Sequence, residues 1–180
     1  MTTNPLPGDR DAQRRVARMI RVDHAGEYGA KRIYQGQLAV LGRGPKGDLI
    51  RHMQAQEQHH LDTFAALIAQ RRVRPTALLP FWHVAGFALG AATALLGERA
   101  AMACTVAVEE AIDEHYSRQS ASLGEEEAGL RDTIETFRAE ELEHRDIGLA
   151  HEAEQAPAYR LLSGLIKGGC KVAIAASERV

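Results

Sequence analysis

The chain has few of the features that stabilise small extracellular proteins or that bind nucleic acid. Among its 180 residues are only two cysteines, Cys104 and Cys170, and they form no CxxC pair. We expect both to be small core residues in a reducing compartment, with a single disulfide between them as the alternative. Lys and Arg number 22 against 24 Asp and Glu, which leaves a formal net charge of −2. With no basic cluster, this balance argues against a nucleic-acid partner.

Long apolar runs are also missing. The most apolar stretch extends from Phe81 to Gly97 and contains His83, so it falls short of the roughly 18 apolar residues that a membrane span needs. It predicts a buried core helix or a helix that lies in a membrane interface. Residues 1–11 are polar and resemble no targeting peptide, so we expect a disordered tail. The length predicts one domain, residues 1–180, with a core of its own.

The alternating pattern of β-strands is absent, and apolar residues recur at helical spacing instead. The pattern predicts an all-α chain. Four long helices are expected over about 10–41, 48–73, 80–121 and 125–153, followed by a C-terminal helix over about 157–177. The third is expected to kink near Gly97. This arrangement is typical of a four-helix bundle with one additional C-terminal helix.

An internal repeat is the most informative feature of the sequence. A lone glutamate on one predicted helix is followed on the next by Glu-x-x-His, and this arrangement occurs twice. The six residues are Glu27, Glu57, His60, Glu109, Glu141 and His144. In Glu-x-x-His both side chains lie on the same helix face, and all four glutamates fall on apolar stripes.

Four buried carboxylates would be costly unless cations compensate them. Two divalent ions would neutralise them, and ligands of oxygen and nitrogen without thiolate suit iron or manganese better than structural zinc. One glutamate from each of two helices and Glu-x-x-His from the other two is the ligand pattern of ferritin-like di-iron bundles. The repeat therefore predicts a centre of two iron ions.

Helical phase also separates the six residues from their neighbours. Glu110 falls on a more polar face than Glu109, and Glu140 and Glu143 lie off the apolar stripe of their helix. His59 is expected to point toward solvent. Three further histidines are expected at the surface or behind the ligands: His24, His52 and His151.

Several short segments resemble a known family. They are VDHAGEYGA at 22–30, RVRPT at 72–76, GFALGA at 86–91, AMACTVAVEE at 101–110, EELEH at 140–144 and APAY at 156–159. The chain resembles the demethoxyubiquinone hydroxylase family of ubiquinone biosynthesis from about residue 14 onward. The resemblance implies a ferritin-like fold with the six residues above as ligands of two irons. It implies that the diferrous centre reacts with O₂, placing one oxygen atom on the ring of demethoxyubiquinol and releasing the other as water.

The resemblance also implies a place in the cell. Family members are peripheral membrane proteins that work beside other ubiquinone-synthesis proteins, so we expect the cytoplasmic face of a bacterial inner membrane, or the matrix side in a processed mitochondrial form. Residues 81–97 and 161–176 offer apolar helices for a membrane interface, with Lys167 and Lys171 meeting lipid headgroups. The same apolar surface would suit a homo-oligomer. NADH is a candidate reductant, although the sequence has no GxGxxG or flavin motif.

His115 and Tyr116 follow Glu109 by about two helical turns. We hypothesise that they border the quinol pocket and relay protons or an electron. The alternative function on the same fold is a ferroxidase or peroxidase of the ferritin or rubrerythrin kind. Two isolated cysteines exclude a rubredoxin-like module, and residues 81–97 would make a poor cage surface. A quinone or lipid carrier without chemistry is a further alternative, which the repeated ligand set disfavours.

Overall fold

A computed structural model describes residues 9–179, and this part of the chain contains helices and no strands. The six α-helices are α1 Asp9–Leu41, α2 Pro45–Arg71, α3 Leu79–Leu95, α4 Glu98–Ser122, α5 Ala128–Ala150 and α6 Tyr159–Ser177. Short 3₁₀ turns at Glu125–Glu127 and Ala153–Gln155 flank α5. The predicted all-α fold is confirmed. Of the predicted tail, residues 1–8 lie outside the described residues, whereas residues 9–11 belong to α1.

The prediction of one kinked third helix was wrong, because one helix ends just before Gly97 and a separate helix begins just after it. Its φ of 110° lies in a region that residues with a Cβ rarely adopt. The Gly97 N–H donates to the Ala94 carbonyl at the end of α3, and the Gly97 carbonyl accepts from Ala100 and Ala101 at the start of α4. Helical periodicity continues across this break, so the two helices looked like one in the sequence.

The bundle is built from two helical hairpins. Helix α1 packs against α2, and α4 packs against α5, while the two outer helices cover them: α3 lies on α1 and α6 lies on α4. One apolar cluster around Phe64 and Tyr116 and another around Tyr34 and Met53 fill the interior. The predicted four-helix bundle is therefore α1, α2, α4 and α5, with two additional helices instead of one.

Glycines bring α3 unusually close to α1. A Cβ on Gly90 would collide with the Ile33 carbonyl, and one on Gly36 would collide with the Phe87 carbonyl. The small residues of the 81–97 segment thus serve helix packing on one face. Only Gly86, Gly90, Thr93 and Ala94 of α3 are buried, so α3 is not the buried core helix that was one of the two expectations. Among residues 9–179, none of the helices has both the length and the apolar character required to cross a bilayer.

Candidate metal centre

The structure brings the six predicted residues together in the middle of the bundle. Each is at most 1 % exposed. They form two overlapping groups whose candidate ligand atoms lie within 4.8 Å of one another: Glu27, Glu57, His60 and Glu141 in one, and Glu57, Glu109, Glu141 and His144 in the other. Glu57 and Glu141 belong to both groups. The arrangement therefore offers two positions that could each hold a cation and that share two carboxylates.

Both histidines present the same ring atom to the carboxylates. The Nδ1 of His60 lies 3.1 Å from Glu141 Oε1 and 3.3 Å from Glu27 Oε2. The Nδ1 of His144 lies 3.3 Å from a carboxylate oxygen of Glu57 and from one of Glu141. Since both Nε2 atoms point away from the cluster, Nδ1 is the atom available to a metal.

Many polar atoms of the cluster are buried without a hydrogen-bond partner within the described part of the chain. They are Glu27 Oε2, both carboxylate oxygens of Glu57, Glu109 Oε2, Glu141 Oε2 and His144 Nδ1. Buried polar atoms in folded proteins are nearly always hydrogen-bonded, so such a concentration requires an explanation. A set of carboxylate oxygens and imidazole nitrogens that converge in this way fits two divalent cations of the iron or manganese type.

Burial distributes protons unevenly over the cluster. It raises the pKa of Glu57 and of Glu109 well above the ordinary value, and the neighbouring Glu141 carboxylate raises both further. Burial raises the pKa of Glu27 as well. For Glu141 burial acts in the same direction, but the neighbouring imidazoles of His144 and His60 outweigh it and lower the pKa to about 2. The metal-free cluster thus holds protons that a cation would displace.

Two fully buried tyrosines donate hydrogen bonds to the cluster. The Tyr34 hydroxyl donates to Glu109 Oε1 at 2.8 Å, and the Tyr116 hydroxyl donates to Glu27 Oε1. Burial, reinforced by the nearby carboxylates, raises the pKa of both tyrosines well above 10.0, so both hydroxyls stay protonated. The sequence suggested Tyr116 but not Tyr34, although Tyr34 follows Glu27 at the same offset as Tyr116 follows Glu109.

His115 lies further from the cluster than its neighbour Tyr116. Its Nε2 is 3.2 Å from Asp23 Oδ1, and the Gln119 amide donates to the same oxygen at 2.8 Å. Among the described residues, an apolar pocket lies between α1, α3, α4 and α6, and neither His115 nor Tyr116 lines it. The expectation that they border the quinol pocket therefore gains no support from this pocket, whereas Tyr116 does contact a predicted ligand.

Two contacts behind the histidines were not predicted from the sequence. Glu140 Oε2 lies 2.6 Å from His60 Nε2, and Gln56 Oε1 lies 3.0 Å from His144 Nε2. Helical phase had placed Glu140 off the apolar stripe, which is correct for its backbone. Its long side chain nevertheless reaches from α5 to a histidine on α2, and phase alone cannot show such a contact. The surface position predicted for His59 is confirmed.

The apolar pocket of about 480 Å³ lies beside the cluster, between α1, α3, α4 and α6. Gly26 of α1 and Val108 of α4 line it, and each directly precedes a glutamate of the cluster. A Cβ on Gly26 would enter open space rather than meet a described residue. Cys170 also lines the pocket, and both cysteines are free thiols, so the disulfide alternative fails.

Comparison with known proteins agrees with this geometry. Residues 14–177 match the model of the family described as ubiquinone biosynthesis protein COQ7. The chain belongs to this family. A relative from Rhodospirillum rubrum, named 3-demethoxyubiquinol 3-hydroxylase, is 64% identical over 176 residues, which are 97% of this chain and 83% of the relative.

More distant COQ7 relatives carry related names. The human protein is named NADPH-dependent 3-demethoxyubiquinone 3-hydroxylase, mitochondrial; it is 59% identical over 169 residues, 92% of this chain and 78% of its own. The Saccharomyces cerevisiae protein, 5-demethoxyubiquinone hydroxylase, mitochondrial, is 43% identical over 180 residues, 91% of this chain and 77% of its own. The family resemblance seen in the sequence is thereby confirmed.

Proposed function

We propose that this protein is a di-iron monooxygenase that hydroxylates the ring of demethoxyubiquinol in ubiquinone biosynthesis. The observation that carries the proposal is the pair of overlapping carboxylate and imidazole groups that share Glu57 and Glu141. The names of the relatives supply the substrate class. No separate observation favours a ferroxidase or peroxidase, and the adjoining apolar pocket suits an apolar substrate better than iron storage.

The residues divide naturally between two iron ions. Glu27 and His60 would hold one ion, Glu109 and His144 the other, and Glu57 and Glu141 would lie between them as shared ligands. When bound, the two ferrous ions supply the electrons and the open coordination that O₂ activation requires. Four ionised carboxylates then face two divalent cations, so the buried cluster has no net charge. We propose iron, not manganese, because the reaction is an oxygenation.

The apolar pocket is the proposed binding site for the quinol ring. Its walls are mostly apolar side chains, which suit a quinol ring, and two of its lining residues, Gly26 and Val108, directly precede Glu27 and Glu109. Two of the helices that line the pocket, α3 and α6, also carry exposed apolar side chains. These side chains are Phe81, Val84, Leu161, Leu165 and Val172. A polyprenyl tail could leave the pocket along this surface.

The same surface supports peripheral contact with a membrane, at the cytoplasmic face of a bacterial inner membrane or the matrix side in mitochondria. The predicted headgroup role of two lysines gains no support. Lys167 pairs with Glu110, and Lys171 lies 3.2 Å from Glu114, so both are engaged on α4. Membrane contact therefore rests on the apolar side chains. A homo-oligomer or another ubiquinone-synthesis protein would cover the same surface in the alternative arrangements.

A reduced nicotinamide is the proposed source of electrons. The human and bovine relatives are named NADPH-dependent, which favours NADPH over the NADH considered from the sequence. Tyr116 is proposed to hold a proton at Glu27, with His115 and Asp23 completing a polar route behind it. We further propose that the whole chain forms one domain, because α1 to α6 pack around one bundle.

The decisive experiment follows the oxygen atom. The protein is loaded anaerobically with Fe(II), a short-tailed demethoxyubiquinol is added, ¹⁸O₂ is admitted, and the quinol is weighed by mass spectrometry. We expect one ¹⁸O in the product, no product with Glu57→Ala, and full product with the exposed control Glu143→Ala. Oxidised iron without labelled quinol would favour the ferroxidase alternative and contradict the proposal.

A further inference from the structure

The two histidines of the cluster both direct Nδ1 toward the carboxylates, but their Nε2 atoms have different partners. His60 Nε2 is 2.6 Å from Glu140 Oε2, whereas His144 Nε2 is 3.0 Å from the amide oxygen of Gln56. The contacts cross between hairpins: Glu140 of α5 holds a histidine of α2, and Gln56 of α2 holds a histidine of α5. One acceptor is a carboxylate and the other is a neutral amide.

Glu140 and Gln56 occupy equivalent positions in the internal repeat. Glu140 directly precedes Glu141, and Gln56 directly precedes Glu57. The difference between carboxylate and amide therefore breaks the symmetry of the repeat directly behind the two histidines. The side chain of Glu140 is 32 % exposed, so its charge is not buried, and water can solvate the oxygen that His60 does not use.

The acceptor behind a metal-binding imidazole affects the metal. With Nδ1 facing the cluster, Nε2 carries the proton and donates it to the acceptor, which fixes the tautomer and the orientation of the ring. A carboxylate accepts a charge-assisted hydrogen bond, which is roughly twice as strong as a neutral one and makes the imidazole a better donor to a cation. The ring of Phe137 stacks on His60 with centroids 4.0 Å apart and restricts its rotation further.

We propose that Glu140 is a positioning residue that makes the two metal positions unequal, so that the position beside His60 binds a divalent ion more tightly than the position beside His144. The inference rests on the proposed metal centre and adds an order of occupancy to it. The tighter position fills first, and the weaker position, beside Gln56, is the last to fill and the first to lose its ion.

Binding of Co(II) to the metal-free protein tests the inference without any turnover. Followed by visible absorption and by equilibrium dialysis, the unaltered protein should bind in two resolved steps. Glu140→Gln should weaken the tighter step by about 10- to 100-fold, which is the usual effect of losing such a partner. Gln56→Glu should tighten the weaker step instead, and the double variant Glu140→Gln with Gln56→Glu should recover two resolved steps.

The matched control is Glu143→Gln, which makes the same charge change on an exposed position of α5 and should leave both steps unchanged. Two equal steps that respond to neither Glu140→Gln nor Gln56→Glu would overturn the inference while leaving the metal centre intact. Failure of the unaltered protein to bind Co(II) and Fe(II) at all would instead overturn the proposed function, and the inference with it. The two failures are therefore distinguishable.

Discussion

The hairpin of α1 and α2 and the hairpin of α4 and α5 are built on the same pattern. Tyrosine and glutamine recur at the same offsets from the lone glutamate of each hairpin, and Glu-x-x-His follows on the second helix, 30 residues after Glu27 and 32 after Glu109. The matched pairs are Glu27 and Glu109, Tyr34 and Tyr116, Gln37 and Gln119, Glu57 and Glu141, and His60 and His144. Each tyrosine donates to the glutamate of the other hairpin, so the hydrogen bonds cross the bundle in matched directions. The shared pattern builds the cluster that we propose to hold the two metal ions.

The hairpins differ next to the tyrosines. Asp23 of the first hairpin corresponds to Thr105 of the second, and Ile33 corresponds to His115. Asp23 and His115 are thus placed together on one side of the centre, where the opposite side has a threonine and an isoleucine. Ile33 instead lines the apolar pocket. The difference teaches that the symmetric residues form the proposed metal positions, whereas the asymmetric ones give the cluster a polar side and an apolar side.

The largest effect should separate the two tyrosines. Tyr116→Phe removes the donor to Glu27 on the side where His115 and Asp23 lie, and we expect single-turnover ¹⁸O incorporation to slow by about 10- to 100-fold. His115→Ala should also slow ¹⁸O incorporation. Tyr34→Phe should have a smaller effect, with iron content unchanged in all three variants. Equal losses for the two tyrosine variants would show that the asymmetry has no role in turnover.

A somewhat smaller effect on turnover should follow when the pocket residue of the first hairpin is changed to the one that the second hairpin has. Gly26 of the first hairpin corresponds to Val108 of the second, and both line the pocket. Gly26→Val fills space where the quinol ring is proposed to lie, so KM for a short-tailed demethoxyubiquinol should rise about 10-fold. Metal binding should not change. Gly129→Val, on an exposed position of α5 with open space around it, is the control for the glycine substitution itself.

The comparison of the hairpins also explains what the sequence could predict. The six residues were predictable because Glu-x-x-His recurs twice, each time after a lone glutamate on an apolar stripe. The sequence could not predict the hydrogen bonds from Tyr34 and Tyr116 or the contact of Glu140 with His60, because these depend on which helices face each other across the bundle. The break at Gly97 was missed because a positive φ in one residue leaves the apolar periodicity of its neighbours unchanged.

A third effect should appear in the metal-free protein, where Glu57 and Glu141 behave oppositely. Burial disfavours the charge of Glu57, whereas His60 and His144 stabilise that of Glu141. We therefore expect Glu57→Gln to stabilise the metal-free protein and Glu141→Gln to destabilise it, each by about 1–3 kcal/mol in urea unfolding. Changes of the same sign would contradict this difference between the hairpins.

The smallest effect concerns pH, and its sign follows from the raised pKa values. Below pH 4.5 the protonated carboxyl groups of Glu57 and Glu109 make their full contribution to the stability of the metal-free fold. This contribution is lost as the pH rises through their raised pKa values. The pKa of His60 is raised from 6.5 to about 12, so its contribution to the stability of the fold also falls as the pH rises above 6.5. The lowered pKa of Glu141 matters only below 4.5.

The melting temperature of the metal-free protein should therefore fall between about pH 5.5 and pH 8. That of the protein loaded with Mn(II) should rise over the same range, because cation binding displaces protons and strengthens as they leave. Glu57→Gln should flatten the slope of the metal-free protein, since it removes one of the groups responsible. Parallel curves with and without Mn(II) would mean that the cluster does not exchange protons for cations, and the contrast between Glu57 and Glu141 would then have no consequence for binding.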